Sequence, residues 1–150
     1  MTAAQLTSPN DGTAVLSRIA DAPKGPTPPP KALFAMRKAV DHYKKGEWGP
    51  AALAAAEAAD VHAKYASAFH LLALALDNLG ERHQAFTMYE RALALDPYDA
   101  DVYLNVGTAA WGLRMFEGAE RAFRVYIDMR PDCPKGYNNL AGCLRDMGKL

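Results

Sequence analysis

Cysteine is nearly absent: Cys133 and Cys143 are the only two in 150 residues. Two thiols exclude a disulfide framework, and no second Cys or His pair offers zinc spacing. A reducing compartment is the default for such a chain. An excess of charge is also missing, with 17 Lys and Arg against 17 Asp and Glu. That balance argues against a nucleic-acid or anionic-membrane partner, either of which favours a basic patch. Long apolar runs are lacking. The stretch from Ala51 to Ala59 is mostly alanine, contains Glu57, and is too short to cross a bilayer. The N-terminus has neither the basic start nor the unbroken apolar core of a signal peptide. A cytoplasmic protein without a membrane span is expected.

Catalytic patterns are missing too. The four histidines, His42, His62, His70 and His83, form no pair at metal spacing on one helix face. Neither cysteine has a base and an orienting group nominated for it, as a nucleophile requires. No strand pattern precedes a glycine-rich phosphate loop. The chain is therefore read as non-catalytic, with no cofactor and no metal.

What the sequence does have is a contrast between residues 1–30 and 31–150. Five of the ten prolines lie between Pro23 and Pro30. Proline fixes φ and lacks a donor, so this stretch favours extended geometry and serves as a stiff linker, or as a docking site for a proline-binding module. Ahead of it, Val15, Leu16 and Ile19 have the spacing of a short amphipathic turn, with Asp11 as cap, left either loose or docked on the body.

Residues 31–150 repeat. Pro97 and Pro131 lie 34 residues apart, and the same offset brings much else into register. Phe69, Tyr103 and Tyr137 align, as do Leu72, Val106 and Leu140. The small residues Ala39, Ala73, Gly107 and Ala141 align, as do Ala51, Ala85 and Ala119, Tyr89 with Phe123, and Gly46, Gly80 and Gly148. First helices are predicted near 32–45, 66–79, 100–113 and 134–147, and second helices near 50–59, 82–95 and 116–129. One such hairpin cannot bury its apolar face alone, so the hairpins must stack.

This order of aromatic, leucine, small residue, glycine, alanine, aromatic and proline resembles the tetratricopeptide repeat. The second repeat carries it best, through Phe69, Leu72, Ala73, Gly80, Ala85, Tyr89, Ala92 and Pro97. The third has Arg114 where glycine is usual and Tyr126 where alanine is usual. The first departs most, with Lys38 for the large apolar residue, Ala55 for the aromatic and Ala63 for the proline. The resemblance implies an all-α superhelix of antiparallel helix pairs, about three and a half repeats long. It also implies a protein or peptide partner in the concave groove lined by the first helices.

Residues 3 and 4 apart share a helix face. One face of each first helix packs internally; the other is assigned to the groove. From that face the candidate binding residues are Met36, Arg37 and Val40 in the first repeat, and His70, Leu71, Leu74 and Asn78 in the second. The third contributes Leu104, Asn105, Thr108 and Trp111, and the fourth Asn138, Asn139 and Arg145. Leu71, Leu74, Leu104 and Trp111 would form an exposed apolar patch of the kind that marks a partner site. The alternative is that they pack against a neighbouring repeat or the N-terminal segment. Asn105 and Asn139 occupy equivalent positions, and an amide can donate to and accept from one peptide unit. The run from Tyr137 to Ala141 is similar to the repeats of protein O-GlcNAc transferases, although Arg37 and Leu71 stand at the matching positions of the first two repeats. Met36 and Val40 lie where repeats that clamp a chaperone's C-terminal carboxylate need lysine and asparagine, which disfavours that ligand.

The chain stops in the turn after a fourth first helix, so Tyr137, Leu140 and Leu144 are expected to lack cover. Continuation into a longer protein, or self-association through that helix, would supply it. The resemblance, with the alanine-rich composition, implies the substrate-recruiting part of a bacterial protein glycosyltransferase, for which flagellin is a plausible substrate. The alternative is a free-standing adaptor or chaperone-like scaffold in assembly or secretion.

Overall fold

The computed structural model describes residues 26–149. The expectations for Asp11, Val15, Leu16 and Ile19 fall outside the described residues. Seven α-helices and no strand occur among the described residues: α1 (Pro30–Lys44), α2 (Trp48–Val61), α3 (Ala66–Asn78), α4 (Arg82–Leu95), α5 (Ala100–Gly112), α6 (Phe116–Met129) and α7 (Pro134–Asp146). They fall into two compact units, residues 26–97 and residues 98–149.

Helix starts follow local chemistry. α1 begins two residues before its predicted start, because Pro30 takes the first helical position, where its missing donor costs nothing. α2 likewise begins ahead of Pro50, at Trp48. Pro50 then sits in the first turn, whose N–H groups have no partner within the helix. Asp99 caps α5, accepting from the Val102 amide at 3.4 Å. The helices end at a recurring register. Gly46, Gly80 and Gly148 all have positive φ, and Arg114 takes the same left-handed conformation at φ 62°. There the Arg114 guanidinium lies over the Phe116 ring at 5.1 Å.

In the 26–97 unit, α1 packs on α2, α2 on α3, and α3 on α4. The first hairpin manages without its aromatic because Ala39, Ala51, Ala55 and Ala58 are all fully buried, which allows a close helix approach. Lys38, in the slot of a large apolar residue, bridges to Glu57 at 3.3 Å. In the second hairpin Tyr89 is fully buried beneath α3, its ring edge-on to His70 at 5.9 Å.

In the 98–149 unit, α6 packs on both α5 and α7. Phe123 fills the space between α5 and α6 so closely that a Cβ on Gly107 would lie 2.4 Å from its ring. Gly136 in α7 faces Tyr126 in the same way, at 2.7 Å. No helix among the described residues is long and apolar enough to cross a membrane.

Candidate functional site

In the 26–97 unit the candidate face divides sharply. Leu71 and Leu74 are 0% and 1% exposed, and Met36, Val40 and His70 are buried as well. Arg37 and Asn78 are exposed. The exposed apolar patch expected from the sequence is not there. Leu71, Leu74 and Asn78 follow one side of α3 at spacings of 3 and 4 residues. Asn78 Nδ2 donates to the Tyr43 hydroxyl of α1 at 3.3 Å and to the Leu74 carbonyl at 2.9 Å. Asn78 thus ties this side of α3 to α1, while Leu71 and Leu74 on the same side are buried.

The 98–149 unit repeats the arrangement. Leu104, Asn105, Trp111 and Asn139 are buried. Thr108 is half-buried and donates back to the Leu104 carbonyl at 2.9 Å. Asn138 and Arg145 are exposed. Trp111 Nε1 donates to Asp146 Oδ2 at 2.7 Å. Of the residues expected to lack cover, Tyr137 is exposed, with its hydroxyl donating to the Pro131 carbonyl at 2.9 Å. Leu140, by contrast, is buried.

Sequence reasoning missed the two pairings that join successive first helices. Tyr43 with Asn78, and Trp111 with Asp146, are each 35 residues apart. That is one residue beyond the repeat period, so a search at the period itself passes over them.

Several groups among the described residues carry unusual electrostatics or unmet polar atoms. The Tyr89 hydroxyl is buried with no hydrogen-bond partner among the described residues. Burial raises its pKa well above the ordinary tyrosine range, helped by Asp77 and Tyr43. Asn139 Nδ2 is likewise buried without an acceptor among the described residues. Glu120 is held below the usual carboxylate range, first by its hydrogen bond from Arg124 and then by Lys149.

No group of three His, Cys, Asp or Glu among the described residues is arranged to hold a metal ion. The Tyr126 hydroxyl donates to Cys133 Sγ at 3.1 Å. The Cys143 thiol donates to the Phe116 carbonyl at 3.6 Å, and burial pushes its pKa up. His42 is partly exposed, and its Nδ1 lies 2.7 Å from Glu47 Oε2.

Comparison with known proteins places this geometry. The family model of the tetratricopeptide repeat matches residues 66–109. Protein FlbA of Caulobacter vibrioides is 38% identical over 82 residues, covering 55% of this chain. The chain spans 14% of the length of that relative. Among solved structures, the first tetratricopeptide domain of Spaghetti (RPAP3), bound to the HSP90 peptide SRMEEVD, superposes with a TM-score of 0.77 at 20% identity, covering 79% of this chain and 94% of that one. An O-GlcNAc transferase of Thermobaculum terrenum superposes with a TM-score of 0.69 at 23% identity, over 76% of this chain and 22% of that one. The described residues therefore fold as tetratricopeptide repeats.

Proposed function

We propose that this chain is a non-catalytic module that holds a segment of another protein along the first helices of its repeats. The supporting observation is the pair Asn138 and Asn139 on α7. Asn138 is exposed, while Asn139 keeps a buried amide donor without an acceptor among the described residues. A buried donor left unmet costs about 1–3 kcal/mol, a penalty that a ligand carbonyl reaching it would relieve. The same fold in Spaghetti carries a bound peptide. That particular ligand suits this chain poorly, because Met36 and Val40 are buried apolar residues and offer a carboxylate no charge partner.

Selection of displayed random peptides against the chain tests the reading. Enriched peptides should bind with micromolar dissociation constants, and Asn138→Ala and Asn139→Ala should weaken them. Failure to enrich any peptide, or binding indifferent to both variants, overturns it.

The finer reading is that the module recruits substrate for a larger bacterial protein, such as a glycosyltransferase acting on flagellin. Supporting it are the similarity of residues 137–141 to O-GlcNAc transferase repeats, the shared fold, and the likeness to a protein from Caulobacter. Fluorescence anisotropy with purified flagellin is the direct test. Saturable binding lost on Asn139→Ala supports recruitment; absence of binding leaves the adaptor role as the better account. Self-association through α7 would appear in light scattering as a mass that grows with concentration, and a constant monomer mass would exclude it.

A further inference from the structure

We infer that residues 12–22 of this chain cover the free side of α1 around Phe34, with Val15, Leu16 and Ile19 packed on its ring. This does not rest on the peptide-holding reading above. The repeat register shows what the position of Phe34 receives. At the repeat offset Phe34 corresponds to Ala68 on α3 and, two repeats further, to Gly136 on α7. Ala68 is 0% exposed, in a unit where α2 packs on α3. Gly136 is buried against the preceding second helix, where a Cβ would lie 2.7 Å from Tyr126 and 2.9 Å from Ile127 of α6. A first helix thus takes up, at this register, the helix that comes before it. No helix precedes α1 among the described residues, and Phe34 is 64% exposed. Lys31, one turn away on the same side, is exposed as well, whereas its equivalent Tyr65 is buried.

The chain itself supplies the occupant. Ahead of α1 the large apolar residues are Met1, Leu6, Val15, Leu16 and Ile19, and the last three share one helical stripe at spacings of 3 and 4. Residues 20–29 join that stripe to Pro30 and include Pro23, Pro26, Pro28 and Pro29. Extended proline-rich chain advances about 3.1 Å per residue, so this tether reaches up to about 30 Å. Phe34 lies only about 6 Å along α1 from Pro30. Gly25 gives the tether a position at which it can bend back. Tethering holds the stripe near the ring at an effective concentration on the order of millimolar, enough to populate a contact too weak to form between separate molecules. Phenylalanine stands here where later repeats carry alanine or glycine, which leaves no room for a helix pressed as closely as α6 on α7. It suits a short segment whose branched side chains surround the ring.

The test uses the whole chain and thermal unfolding followed by circular dichroism. Phe34→Ser changes helix propensity little, so its effect reports on the ring's surroundings. It should lower the melting temperature by roughly 2–6 °C, and the double variant Leu16→Ser, Ile19→Ser should do the same. All three substitutions together should cost little more than either set alone, because both sets delete one contact. Leu53→Ser is the control. Leu53 is 76% exposed and corresponds to the exposed Thr87 and Arg121, so its replacement should leave the melting temperature unchanged. A Phe34→Ser chain as stable as the parent overturns the inference. Additive losses overturn it too, since they would trace the effect of Phe34→Ser to the Lys38 ammonium that lies over the ring at 5.4 Å. A mass in light scattering that doubles with concentration for the parent but not for Phe34→Ser assigns the face to a second copy, and equally refutes the internal contact.

Discussion

Gly107→Ala exchanges one small residue for another at a position where the repeat pattern accepts both, and the structure gives it a definite cost. Ala39, Ala73 and Ala141 occupy the same register. At Gly107, however, an added Cβ would lie 2.4, 2.6 and 3.0 Å from three carbons of the Phe123 ring. Ordinary carbon contacts lie at about 3.5–4.0 Å, so the ring would have to retreat by about 1 Å. It has little room to do so, being fully buried with the Trp111 ring edge-on at 6.2 Å. Overpacking of this kind costs about 1–3 kcal/mol. Replacing glycine by alanine inside a helix returns about 1 kcal/mol of propensity. Taking the middle of that cost, the net expectation is a loss of about 1 kcal/mol, or roughly 2–4 °C in melting temperature. Urea unfolding followed by tryptophan fluorescence would measure it, with Trp111 reporting from beside the clash. In a Phe123→Leu background the same glycine substitution should become neutral or stabilising, because the ring is gone. If Gly107→Ala alone is as stable as the parent or more so, helix propensity governs this position and the ring does not press on the backbone.

Three further outcomes are expected. Leu74→Glu should unfold the 26–97 unit, because Leu74 is 1% exposed and burying an unpaired carboxylate there costs several kcal/mol; retained circular dichroism and melting temperature would place Leu74 on an open face after all. Trp111→Phe should cost about 1–2 kcal/mol by deleting the hydrogen bond to the Asp146 carboxylate, and a double-mutant cycle with Asp146→Ala should show that coupling; additive effects would dismiss the bond. Tyr89→Phe should be neutral or stabilising by up to about 1 kcal/mol, since its hydroxyl is buried without a partner among the described residues. Its raised pKa in the folded state means its contribution is intact below pH 10.0 and declines as pH rises above that value. Tyr89→Phe should therefore flatten the alkaline loss of stability, and an unchanged pH profile would count against its burial.

The helices were readable in the sequence because the period is carried by packing. Small residues at 73 and 85 and aromatics at 69 and 89 occur where two helices of a hairpin meet, and that meeting recurs every 34 residues. Which side of a first helix stays free was not readable. Periodicity identifies equivalent residues but does not say which neighbour each one meets. The first helix α3 has three neighbours: its hairpin partner α4, the preceding second helix α2 and the preceding first helix α1. Phe69 and Tyr89 report the first kind of contact. Asn78 meets the preceding first helix, through its hydrogen bond to Tyr43. Arg114 shows the same limit at a turn. The pattern marks the glycine register, but only the backbone shows an arginine held at φ 62° there.

Burial of the leucines changes what kind of recognition these helices can perform. With Leu71, Leu74 and Leu104 buried, these candidate residues expose almost no apolar surface to an anchor. Among the candidate residues, the exposed ones are Arg37 and Asn78 in the 26–97 unit and Asn138 and Arg145 in the 98–149 unit, all polar and none of them acidic. Under the proposed peptide-holding role, hydrogen bonds and charge would supply the selectivity. Charged contacts at exposed positions are screened within about 10 Å at 0.1 M salt, so binding to such a surface is salt-sensitive and modest in strength. The buried donor of Asn139 adds a term that salt does not screen, because a ligand carbonyl meeting it answers a group already withdrawn from water. Measured affinity at high salt should therefore fall to a residual value rather than vanish, and Asn139→Ala should remove that residue while leaving the salt-dependent part in place.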